Sequence, residues 1–205
     1  MNNIHTNKIF LCLVSLVALF SACGDFLDVV PEKDITTIPS LFQQRTKVDE
    51  WEADCYSFIT GLATPQGNIA LTASDEFVGN QYLRDQIRYP LNGLFIGDGV
   101  QSVQSPYGDI WRGDRYYDAI RYCNIFIDNT PNTYNMTEVE KKQWIAEVKV
   151  LKAFLYFDLV RHYGPITLVP KNISVESSIE NMKQPRRPVE ECFQAMLSLI
   201  DDAMD

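Results

Sequence analysis

The sequence predicts a mainly α protein in which long helices pack in pairs and long irregular loops run between them. Three observations carry this expectation. Apolar residues recur at steps of three and four over four separate stretches, serine or threonine followed three residues later by Gln or Glu stands ahead of two of them, and β-branched runs are short, as at residues 166–170 (ITLVP), with short helical or strand pieces open within residues 62–105. Composition agrees: 46% of the 205 residues are apolar and 22% charged, enough to build a core. A net charge of −9 is the wrong sign for gripping a phosphate backbone, so no nucleic-acid partner is expected. With histidine only at His5 and His162, there is little material for a zinc site or a catalytic triad, and no metal, cofactor or enzymatic activity is expected.

The first element is a leader. Lys8 precedes an apolar run over residues 9–20, then Ser21, Ala22 and Cys23. Twelve residues rise about 18 Å as a helix, short of the roughly 20 residues that cross a bilayer, so residues 1–22 read as a signal peptide. A cysteine directly after the small pair resembles the bacterial lipoprotein box, with Phe20 in place of the usual leucine. That resemblance implies acylation of Cys23, cleavage before it and attachment to the outer-membrane lipid; a plain secreted protein is the competing reading. Residues 23–39 carry acids, Pro31 and Pro39 and no sustained period, which suits an acylated tether.

Residues 40–205 form the expected helical domain. A first helix starts at Ser40, paired with Gln43 as a capping box, and carries Leu41, Val48, Trp51, Cys55, Phe58 and Ile59 to Gly61. Residues 62–105 lose the stripe; glycines cluster there with Pro65, Pro90, Tyr82 and Tyr89. A second helix is expected from Pro106 to Asp128, with Tyr107, Ile110, Trp111, Tyr117, Ile120, Asn124 and Ile127 near one face, stopped by Asn129-Thr130-Pro131. The third is the clearest. Thr137 and Glu140 make a capping box, and Val148, Leu151, Leu155 and Leu159 follow at helical steps up to Gly164-Pro165. A fourth opens near Pro188 and carries Val189, Cys192, Phe193, Met196, Leu199, Ile200 and Ala203 to the last residue. Asp201, Asp202 and Asp205 are the wrong sign for the end of a helix, so either the last turns fray or, as the favoured expectation, the chain is the front part of a longer protein whose later residues cover this stripe.

Several stretches together resemble the amino-terminal portion of a SusD/RagB family protein. They are Cys23-Gly24-Asp25-Phe26-Leu27-Asp28 with Pro31, then Trp111, Tyr117, Ile120 and Asn124, then residues 146–165 (AEVKVLKAFLYFDLVRHYGP), and finally Arg187-Pro188-Val189 with residues 199–203 (LIDDA). Lys152 stands where the family often has arginine, and Thr167 where a proline often follows the glycine turn, which predicts a looser turn here. The resemblance implies a SusD-like fold of stacked tetratricopeptide-like helix pairs, although no 34-residue repeat is visible in the sequence. It also implies a lipoprotein on the exterior of the outer membrane that binds an oligosaccharide or other nutrient and passes it to a SusC-like TonB-dependent porin. The alternative is a helical-repeat scaffolding lipoprotein without a small-molecule ligand.

Within the irregular stretch, Tyr82 and Tyr89, beside Asn80, Arg84 and Arg88, are the ligand-binding candidates, because a sugar needs an aromatic face and planar polar groups. Trp51, Trp111 and Trp144 lie on helical stripes and read as packing. Asp75-Glu76, Glu190-Glu191 and Asp201-Asp202 read as solvated acids. In the body, Cys55, Cys123 and Cys192 are odd in number and lack a C-x-x-C spacing; each reads as a buried small hydrophobe, with a bridge as the alternative.

Overall fold

The computed structural model describes residues 37–59, 61, 63–64, 68–80, 92–99, 102, 104, 110–111, 115–174 and 176–204. The expected leader, acylated Cys23 and tether to residue 36 lie outside the described residues, as do Tyr82, Tyr89 and the expected helix start at Pro106. The chain divides after Ser40 into a unit of residues 1–40 and a unit of residues 41–205. Eight α-helices are described: α1 Ile38–Leu41, α2 Arg45–Ser57, α3 Ile69–Ala73, α4 Asn92–Gly97, α5 Tyr116–Asn129, α6 Glu138–Tyr163, α7 Ile179–Met182 and α8 Val189–Met204. Among the described residues there is no strand, and residues 166–170 contribute a single antiparallel bridge, Ile166 to Arg187.

The longest helix among the described residues, α6, is the scaffold of the second unit. Thr137 accepts from the Glu140 amide while the Glu140 carboxylate accepts from the Thr137 amide at 3.0 Å, which ties down the first turn as the sequence predicts. Those bonds to Thr137 hold the Glu140 carboxyl below its ordinary range. At the other end Gly164 sits at φ 69°, ψ −124°, a conformation that a side chain resists, and it stops the helix. Val148, Leu151, Leu155 and Leu159 are all buried, but so are Lys152, Ala153, Tyr156, Asp158 and Val160. Burial extends beyond one stripe because α6 packs against α5 and α2 on one side and α8 on another.

Two helix starts differ from expectation. Ser40 is no cap: its hydroxyl and amide both bond the Thr37 carbonyl, at 2.7 and 3.0 Å, inside the short α1. The longer helix begins at Arg45 behind Gln44, whose side chain caps nothing; the Arg45 amide is taken instead by the Asn135 side chain at 2.7 Å, 90 residues away. It ends at Ser57, four residues before Gly61. The second expected helix begins at Tyr116. Ile110 and Trp111 lie in a turn, and the Tyr116 amide bonds the Ile110 carbonyl at 3.0 Å, a closure six residues long that a continuous helix would not make. Within the irregular stretch, α3 and α4 pack on each other. A Cβ at Gly93 would come within 2.6 Å of the α3 backbone, so only glycine allows that approach.

The core joins α2, α5 and α6 through aromatic rings. Phe42 is buried 5.3 Å from the Trp51 ring and 6.0 Å from Phe126. Trp51 stacks on Tyr122 at 4.8 Å and donates its indole N–H to the Tyr122 carbonyl at 3.2 Å. Trp51 is thus a packing residue, as its stripe predicts. Half-buried Trp144 lies under the Arg45 guanidinium at 5.0 Å, a cation–π contact between α6 and α2.

Candidate functional site

The segment following Gly164 is held to the helices by polar side chains. Lys152, buried in α6, donates to the Asn124 side chain and, at 3.0 Å, to the Pro170 carbonyl. Burial lowers the Lys152 ammonium to about 8. Asn124 in α5 donates to the Val169 carbonyl and to Asn172 Oδ1, each at 3.1 Å. The Tyr156 hydroxyl accepts from the Val169 amide at 2.9 Å. Tyr117 donates to the Thr167 carbonyl at 3.0 Å and accepts from the Thr167 amide at 3.2 Å. The looser turn expected from Thr167 is therefore not what forms. A proline there has no N–H, and threonine provides the bond that fixes the segment.

These bonds shape the candidate site, an open cleft of about 290 Å³ lined by Trp111, Tyr117, Leu159, Tyr163, Pro165, Ile166, Thr167 and Arg186. Its polar wall is set by the Arg187 amide, which donates to the Ile166 carbonyl at 2.7 Å and so fixes the strap carrying Arg186. Trp111 is 49% exposed, which corrects the reading of this tryptophan as a core residue on a helical stripe. The turn at 110–111 buries Ile110 and turns the indole outward. An exposed indole, two tyrosines and a guanidinium provide a flat apolar surface and planar donors, the groups that suit a sugar ring. Sequence reasoning missed this cleft because Trp111 and Tyr117 were placed on one expected helix from Pro106; the glycines at 108 and 113 were the available signal that the helix starts later.

Other expected features stand as follows. Among the described residues, no group of three or more His, Cys, Asp or Glu side chains is placed to hold a metal, and no helix is long and apolar enough to cross a membrane. Asp75, Glu76, Glu190, Glu191, Asp201 and Asp202 are exposed. His162 places Nδ1 2.7 Å from the Asp158 carbonyl one turn back, while the buried Asp158 carboxylate accepts from the Tyr116 hydroxyl at 2.8 Å and pairs with Arg161. On α8 only Cys192 and Met196 are buried; Phe193, Leu197 and Ile200 share an open apolar groove with Val150, Phe154 and Phe157 of α6.

Comparison with known proteins connects this scaffold to a family. Residues 25–205 match the family model SusD-like_3, described as starch-binding and associating with the outer membrane. A SusD-like protein of Bacteroides ovatus is 25% identical over 198 residues, covering 95% of this chain and 34% of its own length. The crystal structure of a SusD-like protein from Bacteroides fragilis aligns at a TM-score of 0.65 and 27% identity, over 80% of this chain and 30% of that one. A laminarin-binding SusD-like protein has the same fold, at a TM-score of 0.62 and 15% identity over 78% of this chain and 34% of that one. The chain spans about a third of the length of these relatives. With a family pattern covering nearly all of its residues and a helical fold shared with solved members, the chain belongs to the SusD-like family.

Proposed function

We propose that this chain is part of a cell-surface lipoprotein that binds a glycan at the outer membrane and hands it to a SusC-like TonB-dependent porin. The family match over residues 25–205 carries the reading, since the family is described as starch-binding and outer-membrane-associated. The match begins just past Cys23, the proposed acylated residue after a leader of residues 1–22, with residues 23–39 as tether. Tyr82 and Tyr89 remain ligand-binding candidates, joined by Trp111 and Arg186 of the cleft. Laminarin binding by a solved neighbour makes β-glucan a ligand class to try beside starch oligosaccharides.

Calorimetric titration of the full protein with a panel of soluble α- and β-linked oligosaccharides tests this. Saturable binding to at least one is expected. Absence of binding across the panel, with porin still co-purifying, would favour the scaffolding lipoprotein without a small-molecule ligand.

A further inference from the structure

We infer that Cys55 and Cys123 are a cross-linking pair that becomes a disulfide joining α2 to α5. Both thiols are fully buried, and the two helices that carry them pack on each other. The surrounding packing holds them there. On α2, Cys55 lies one turn after Trp51 and three residues before Phe58; both of those rings flank Tyr122, the residue preceding Cys123, at 4.8 and 5.5 Å. The Trp51 indole also bonds the Tyr122 carbonyl, which is the peptide group of Cys123 itself. Cys192 is placed differently, in α8 with its Sγ directed to the Arg187 carbonyl at 3.4 Å. The odd number of body cysteines therefore resolves into a pair and a single.

The cross-link forms by exchange with a small-molecule disulfide as oxidant. One protein thiolate attacks a sulfur of the oxidant, forming a mixed disulfide and releasing one reduced thiol. The second protein thiolate attacks the protein sulfur of that mixed disulfide and releases the other reduced thiol. Both protein protons end on the released thiols, so two protein thiols are oxidised as one oxidant disulfide is reduced. In the folded chain, the neighbouring thiol and burial push the Cys55 thiol far above its ordinary range, which starves the first step of thiolate. Exchange then proceeds as the chain folds, or when α2 opens away from α5, and slowly on the closed protein.

The test is refolding of the full chain from denaturant with oxidised glutathione present, followed by alkylation of remaining thiols and tryptic mapping without reductant. The linked species joins residues 48–84 to residues 122–141. It is expected as the main form of both peptides, together with a urea midpoint above that of the reduced protein and returned to it by dithiothreitol. A Cys192→Ser variant should give the same linked species. Recovery of Cys55 and Cys123 as alkylated thiols or as separate glutathione adducts would overturn the inference, and because the mapping uses the unmodified sequence, this result does not depend on a cysteine variant folding.

Discussion

Leu155 and Phe157 stand two residues apart on α6 and meet different surroundings. Leu155 is fully buried between helices, whereas Phe157 is 44% exposed in the open groove beside α8. Leu155→Ala should therefore cost about 2–5 kcal/mol in a denaturant titration, and Phe157→Ala clearly less. Equal losses would mean that the buried face of α6 is misplaced. Glu52 allows a second test, because it is buried in α2 with Oε1 lacking a hydrogen-bond partner. Burial, and then the neighbouring Glu147 and Asp49 carboxylates, raise its carboxyl from 4.5 to about 7. The folded chain thus keeps a proton that the unfolded chain has released, so this group's contribution to stability falls as pH rises from about 4.5 to about 7 and is level above. Glu52→Gln should remove that decline and stabilise the protein by about 1–3 kcal/mol at pH 8, with little effect at pH 4. Urea midpoints at the two pH values check it, and an equal change at both would contradict the assigned proton.

At the scale of elements, α6 was legible in full, since both its end signals act locally. Thr137 meets Glu140 three residues on, and Gly164 takes a backbone conformation of its own. Thr137→Ala should cost about 0.5–2 kcal/mol through the lost cap. Gly164→Ala should cost about 1–3 kcal/mol from backbone strain alone, because no atom outside its chain neighbours lies within 4 Å of the added Cβ. A melt showing no change in the glycine variant would mean that the turn relaxes to another conformation. The starts of α2 and α5 were not legible for the converse reason: their first amides are satisfied by Asn135 from a distant loop and by Ile110 across a turn. Ser40 and Gln43 have the spacing of a capping box, but a distant acceptor decides where the helix begins. The cleft was hidden by the same effect, since Trp111 leaves its apparent helical stripe only when the start of α5 moves to Tyr116.

At the scale of the whole molecule, the helices hold the connecting segment from which the proposed ligand site is built. Lys152, Asn124, Tyr117 and Tyr156 spend buried polar groups on fixing the segment after Gly164, and that segment forms one wall of the cleft. The proposed membrane attachment is a separate property, assigned to Cys23. Metabolic labelling with an alkyne fatty acid should mark the wild type and leave Cys23→Ala unlabelled; equal labelling of both would remove the lipoprotein proposal. The proposal that Trp111, Tyr82 and Tyr89 contribute to glycan binding is tested by measuring glycan affinity and melting temperature together on Trp111→Ala, Tyr82→Ala and Tyr89→Ala in the full protein. At least one variant should weaken binding by about 0.5–3 kcal/mol while its melting temperature stays near that of the wild type. Unchanged affinity in all three, with lowered melting temperatures, would show that these rings only pack the scaffold and would contradict it.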